Sequence, residues 1–317
     1  MKAIMYHYVR PAPEGLPYFR YLHVDDFARQ LDWFAAHESL VTRDDFLTAC
    51  RTGRAPKGVL LTFDDGLSDH YEHVLPLLVE RGLFGFFYIC TSPYVTGKLL
   101  DVHRIHLYLG RLGGQAALER LSQRLSDDML SDGHVQEFRE ATYTRQDNDH
   151  ATTTFKRTLN YLISYQHRQS VLDGLFAEEF GDERHVTNQF YLTGDQIREM
   201  DAVGMVIGSH GVNHFVFSKL PVAEQRDEID QSFSALSDMV GRRIETFCFP
   251  YGGRHTYTAD TIAILNETGS AYSFDVNPRD ITAEDLATSP QTLPRYDCNL
   301  FPHGKASMGP ERALQAA

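Results

Sequence analysis

Strand-like and helical patterns alternate along two stretches of this chain, and that alternation constrains its fold more than any other feature. The β-rich run KAIMYH is followed by VDDFARQLDWFAAH, with apolar residues at helical spacing, and GVLLTF, SDHYEHVLPLLVERG and FGFFYIC continue the rhythm. Strands joined through helices run parallel, because a parallel pair needs a long crossover, so the pattern predicts an α/β protein with helices packed outside its sheet. Ser68 or Asp69 can cap the helix after Phe63, and Gly82 can take the left-handed exit from it. The rhythm returns with TGDQIREMDAVG, MVIGSH, a helix over 222–240, TFCFPY, a helix over 258–267 and SAYSF.

Between these stretches the segment 98–193 is polar, rich in helix formers (GQAALERLSQRLSDDML, FKRTLNYLISYQHRQSVLDGLF) and without a convincing strand. The expected division is one α/β unit made of 1–97 and 194–317, interrupted by a helical insertion over 98–193 that can act as a lid on a site. The tail GPERALQAA reads as a short helix or a frayed end.

An apolar fraction of 42% over 317 residues supports a sizeable core. The net charge of -13, with no basic block, argues against nucleic acid or an anionic membrane surface as a partner and favours a neutral or cationic small substrate. No run reaches the about 18 apolar residues of a membrane span. The start MKAIMYHYVRPAPEG lacks the apolar stretch of a signal peptide, so the chain as given is expected to be cytoplasmic. Cys50, Cys90, Cys248 and Cys298 show no C-x-x-C spacing and are read as buried free thiols.

Three motifs can carry chemistry, each at the end of a strand-like run. Asp64 and Asp65 follow Leu60, Leu61, Thr62 and Phe63, at the end of a parallel strand where α/β proteins build their sites; Asp-Asp-Gly is equally ordinary turn chemistry. In GSHGVNH, His210 and His214 stand four apart, so on a helical turn both imidazoles can reach one ion, and with one carboxylate they complete a set of three ligands. In FCFPYGG, Pro250 and Tyr251 end a further strand, and an exposed Tyr251 amide is a fitting oxyanion donor, although the motif can be only a rigid turn. The pair His103 and His106 lies on what reads as a charged, solvated helix, where metal binding is not expected.

Taken together, TFDDG, the H-x-x-x-H of GSHGVNH and FPYG resemble the polysaccharide deacetylases, the NodB-homology family of metal-dependent carbohydrate esterases. The resemblance implies a distorted (β/α)7-type barrel with the helical insertion between the first and second metal-binding motifs. It implies an enzyme that removes N-acetyl, or N-formyl, from an amino sugar with a divalent metal, usually zinc. By position, Asp64 resembles the general base, Asp65 the carboxylate ligand, His210 and His214 the imidazole ligands, and Tyr251 the oxyanion donor. Relatives take the acid that protonates the leaving amine from a histidine near the C-terminal end of the domain or, in members that look circularly permuted, from an N-terminal YH strand. His303 and His7 are the respective candidates here, and His7 is favoured because it ends a convincing strand.

Two departures stand out. Gly211 occupies the place of a serine or threonine that braces the ligand loop, and FCF replaces an arginine before Pro-Tyr; Arg295 in LPRYD can orient Asp64 instead, or form only a surface ion pair. The expected substrate is an N-acylated sugar in a nucleotide-linked, lipid-linked or oligosaccharide precursor of a surface polysaccharide. Tyr6, Tyr8 and Tyr94 are candidates for stacking on the ring. The rival readings are a hydrolase of a non-sugar amide or cyclic ureide on the same fold, and a carbohydrate-binding protein without turnover.

Overall fold

The computed structural model of the chain describes residues 1–130, 142–143 and 148–309. The end of the tail, 310–317, and part of the 98–193 segment lie outside the described residues. Seven strands form one sheet: β1 (Lys2–Tyr6), β2 (Val59–Phe63), β3 (Phe86–Ile89), β4 (Val206–Ser209), β5 (Thr246–Cys248), β6 (Tyr272–Phe274) and β7 (Arg295–Asp297). Their order is β6-β5-β4-β3-β2-β1-β7 and every pairing is parallel. Phe274 at the end of β6 bridges Leu293, two residues before β7, so the sheet curls into a nearly closed (β/α)7-type barrel surrounded by helices.

Apart from Lys2 and the last two residues of β7, the strands are buried throughout because both of their faces are covered. Alternate residues of β2 divide between two layers: Leu61 and Phe63 pack with Phe27, Leu31 and Phe34 of the helix Val24–His37, whereas Leu60 packs with Phe86, Tyr88, Cys248 and Phe274. Thr62 and Asp64 continue the face of Leu60. The helix Val222–Val240 adds Ile229, Phe233 and Leu236 to the first layer.

Local structure departs from expectation after Phe63. The helix there begins with a wide π-type turn, His70–Val74, before the α-helical Leu75–Glu80, and neither expected cap acts as one. The Ser68 hydroxyl donates to the Gln189 carbonyl and Asp69 receives the Arg10 guanidinium at 2.7 Å. Gly82 does take the left-handed exit, at φ +64°.

The chain divides into two compact units: Met1–Pro11, Tyr21–Val95 and Gln189–Ala306 carry the barrel, and Ala12–Arg20, Thr96–Asn188 and Ser307–Ala317 form the second. Within the second unit, Ile105, Tyr108, Leu121, Phe155, Leu159 and Leu172 make a core among helices that include Asp101–Leu112 and Tyr165–Phe180. The helix Asp101–Leu112 is not the solvated helix its charges suggest: His103 and Arg104 are buried, and Arg104 pairs with Glu183 and Asp173. Among the described residues, no helix is long and apolar enough to cross a membrane.

Candidate active site

Because the strands are parallel, the residues following β1, β2, β4 and β5 gather at one mouth of the barrel. Asp65 and Gly66 both adopt left-handed backbone, at φ +81° and +67°. Gly66 has no alternative, since a Cβ there meets the Ile89 side chain at 2.9 Å. Asp-Asp-Gly is therefore a tight turn and part of a site at once: the turn directs the two carboxylates apart. Asp65 faces His210 and His214, while Asp64 continues the strand's inward face.

The Asp65 Oδ1 atom lies 3.5 Å from His210 Nε2 and 3.4 Å from His214 Nε2, and all three residues are buried. Two ligands about 2.0–2.2 Å from a tetrahedral ion stand roughly 3.3–3.6 Å apart, and both Asp65–histidine separations match that spacing, so the trio is a candidate for holding a divalent metal. His210 Nδ1 lies 2.7 Å from the Cys248 carbonyl, which fixes the proton there and leaves Nε2 with its lone pair toward Asp65. Burial, partly offset by Asp64, pushes His210 down to about 4 and keeps it neutral.

The two histidines are not presented by a helix. Residues 210–214 form an irregular loop in which His214 stands at φ +56°, and the His214 ring packs edge-on against Tyr251, centroids 4.8 Å apart. Tyr251 is itself left-handed, at φ +62°. Asp65, His214 and Tyr251 are thus three non-glycine residues held in a sparsely populated backbone region, the concentration of strain that functional sites show.

Asp64 is held from inside the barrel. Arg295, fully buried, donates from Nη1 to Oδ1 and from Nη2 to Oδ2, each at 2.8 Å. The same guanidinium reaches Thr62 Oγ1 at 3.0 Å, Cys248 Sγ at 2.9 Å and the Asp275 carbonyl at 3.3 Å. Burial alone raises the Asp64 pKa, but the Arg295 charge, then His210, the hydrogen bonds and His7 outweigh it and hold the carboxyl at about 2. Arg295 accordingly makes a buried bidentate pair, and the surface ion-pair reading does not hold.

His7, following β1, places Nε2 4.0 Å from Asp64 Oδ2 and is more than a third exposed. His303 is exposed, in a turn at φ +62°, and makes no ion pair with Asp64 or Asp65 among the described residues. Tyr6 cannot stack on a ligand: it is fully buried and its hydroxyl donates to Gln30. His103 and His106 belong to neither group of metal-ligating side chains found among the described residues.

Several site residues escaped the sequence reading. Cys248 contacts Arg295, and Cys90 donates its thiol to the His210 carbonyl at 3.2 Å, so two of the four free cysteines support the site. His70 Nε2 lies 3.0 Å from the His7 carbonyl, and Glu228 accepts amides of the 210–214 loop. The available signal was polarity inside an apolar stripe: Gln225, Glu228, Ile229 and Ser232 repeat at helical spacing and are all buried.

The structure defines a (β/α) barrel protein with a carboxylate-imidazole trio and a second, ionised carboxylate at its C-terminal mouth. The chain belongs to the polysaccharide deacetylase family, whose family model matches residues 52–273. Members of this family typically use a divalent metal, and the trio here is a candidate for holding one. No curated protein matches the chain. Among solved structures, the Streptococcus pyogenes deacetylase PplD in complex with acetate superposes with a TM-score of 0.57 at 18% identity, covering 99% of this chain and 96% of that one. IcaB from Ammonifex degensii gives 0.54 at 18% identity, covering 93% and 89%. The BpsB deacetylase domain from Bordetella bronchiseptica gives 0.50 at 14%, covering 94% and 95%. At these identities the likeness is one of fold.

Proposed function

We propose that this chain is a metal-dependent de-N-acylase that hydrolyses the N-acetyl group of an amino sugar. The observation that carries the reading is the division of labour between adjacent carboxylates: Asp65 joins two imidazole nitrogens, while Asp64 is kept ionised by Arg295 beside them. Family membership and the acetate held by the S. pyogenes neighbour support acetyl as the group removed.

In this reading Asp65, His210 and His214 hold a divalent ion, zinc by the N2O character of the donor set. Bound there, the ion supplies positive charge that polarises an amide carbonyl and acidifies water. Asp64 accepts a proton from the attacking water; with its pKa at about 2 it is ionised at any working pH, and the Arg295 fork fixes where its oxygens point. His7, facing Asp64 from the open side, donates a proton to the leaving amine nitrogen. The backbone amide of Tyr251 hydrogen-bonds the oxyanion, and the left-handed turn sets that amide's direction. Water and amide thereby become carboxylic acid and amine.

The test is acetate and formate release from UDP-N-acetylated sugars, lipid-linked sugars and N-acetylated oligosaccharides, with zinc or cobalt, beside Asp64→Asn and His210→Ala. Acetate release lost in both variants supports the proposal, and the preferred carrier names the substrate form. Release only from non-sugar amides or ureides moves the function to that class, and sugar binding without release leaves a carbohydrate-binding protein.

A further inference from the structure

The loop between the two histidines is not self-supporting: three of its amides and the carbonyls of His210, Gly211 and Val212 bond to groups outside residues 210–214. The Cys90 thiol and the amides of Thr91 and Ser92 donate to the carbonyls of His210, Gly211 and Val212. The Gly211 amide donates to Ser209 Oγ at 3.1 Å. The next two amides, Val212 and Asn213, both donate to Glu228 Oε2 at 2.8 Å, and Asn213 Nδ2 donates to Glu228 Oε1 at 2.6 Å. One buried carboxylate on the helix Val222–Val240 therefore takes three N–H groups from the residues between the histidines.

We propose that Glu228 is a positioning residue for His214 and thereby sets the metal affinity of the centre, an inference that rests on the metal-site reading above. The two histidines are oriented differently. His210 is fixed through its own ring, by Nδ1 against the Cys248 carbonyl. Among the described residues His214 Nδ1 is buried without a hydrogen-bond partner, so the direction of its Nε2 depends on its backbone and on the His210 and Tyr251 rings packed against it. That backbone is left-handed, at φ +56°, a conformation a histidine adopts only when its surroundings impose it. The anchored amides of Val212 and Asn213 immediately precede it. Gly211 fits the same device: at φ +80°, a Cβ there stands 3.3 Å from Glu228 Oε2, so the residue without a side chain leaves room for the carboxylate.

The experiment is competition for Zn2+ between a chromogenic chelator and full-length wild-type, Glu228→Gln, Glu228→Ala and, as an exposed charge control on the same helix, Asp227→Asn, with circular dichroism of each metal-free protein. Zn2+ affinity is expected to fall about 10–100-fold in Glu228→Ala, as for other partners that orient metal-binding side chains. Glu228→Gln, which keeps the shape and one acceptor, is expected to lose at least about threefold. Asp227→Asn is expected to stay within about twofold of wild type. Wild-type affinity in folded Glu228→Ala overturns the inference; if Glu228→Ala does not fold, wild-type affinity in Glu228→Gln overturns it. Failure of the underlying reading is separate: wild-type protein then takes up no Zn2+ that His210→Ala loses.

Discussion

The two oxygens of Asp64 each accept a hydrogen bond from a different terminal nitrogen of Arg295 at 2.8 Å, and both residues are shielded from solvent. A guanidinium fork matches a carboxylate in this way, whereas an ammonium satisfies it as a point charge. The pair fixes the direction of Asp64 and its ionisation together.

Breaking that pair leaves an uncompensated buried charge. Arg295→Met is expected to destabilise the protein by about 3–5 kcal/mol in urea unfolding at pH 7. It is also expected to lower kcat/KM by about 10²-fold through misplacement of Asp64, with Arg295→Lys between wild type and Met. The sign with pH follows from Asp64 lying below its ordinary value of 3.8, at about 2. The stabilisation is fully present above about pH 4 and is lost as pH falls toward 2. Equal stability of Arg295→Met and wild type at pH 7 counts against the pair as a structural element.

Metal dependence predicts a thermal signature independent of turnover. Zn2+ at about 1,000 times its dissociation constant adds about 4 kcal/mol to stability, and the resulting rise in Tm is expected to vanish in Asp65→Asn and His210→Ala. A rise that persists in both variants assigns the ion to another place on the protein.

Much of the barrel was legible because its signals are local and periodic. The runs ending at Tyr6, Phe63 and Ile89 are apolar and bounded, and Val24–His37 carries its buried residues at helical spacing. Asp64, Asp65, His210 and His214 were legible because each follows a strand, and parallel strands bring their C-terminal ends together whatever the register. The conformation that joins them was not. The i, i+4 spacing of His210 and His214 suggested a helical turn, yet the pair sits in a loop whose shape is set by Glu228, Cys90 and Ser92 on other segments. The helical spacing of Glu228 places it on a buried face, but no local pattern shows which loop it braces. Charge was misleading for Asp101–Leu112, since Arg104 is buried and two of its carboxylate partners, Asp173 and Glu183, lie on segments that sequence spacing does not connect to it.

His70 supports the general-acid candidate from below. It is fully buried beside Phe63 and Phe87, burial pushes its pKa down, and its Nε2 lies 3.0 Å from the His7 carbonyl, so a neutral ring donates there. His70→Leu removes that donor while preserving apolar packing, and the stranded carbonyl is expected to cost about 1–3 kcal/mol. If His7 protonates the leaving amine, His70→Leu also lowers kcat more than it raises KM, whereas His70→Asn recovers part of both losses. Unchanged kcat in a folded His70→Leu protein separates His70 from the reaction.

Asp275 gives the opposite pH dependence to Asp64. Tyr257 donates to its Oδ2 at 2.8 Å and its Oδ1 has no hydrogen-bond partner among the described residues, so burial prevails and raises the carboxyl from 3.8 to about 6. Between those values the folded protein binds more protons than the unfolded chain, and stability from this group falls as pH rises through 6. At about 1.4 kcal/mol per pH unit, keeping Asp275 ionised at neutral pH costs on the order of 3 kcal/mol as an upper bound. Asp275→Asn removes the titration and keeps an acceptor for Tyr257. It is therefore expected to raise the Tm clearly more at pH 7.5 than at pH 4.5, where most of the titration has not yet occurred, read from melting curves across that range. Melting temperatures that run parallel from pH 4.5 to 7.5 show instead that Asp275 is already ionised throughout, and that some group near it supplies the missing hydrogen bond.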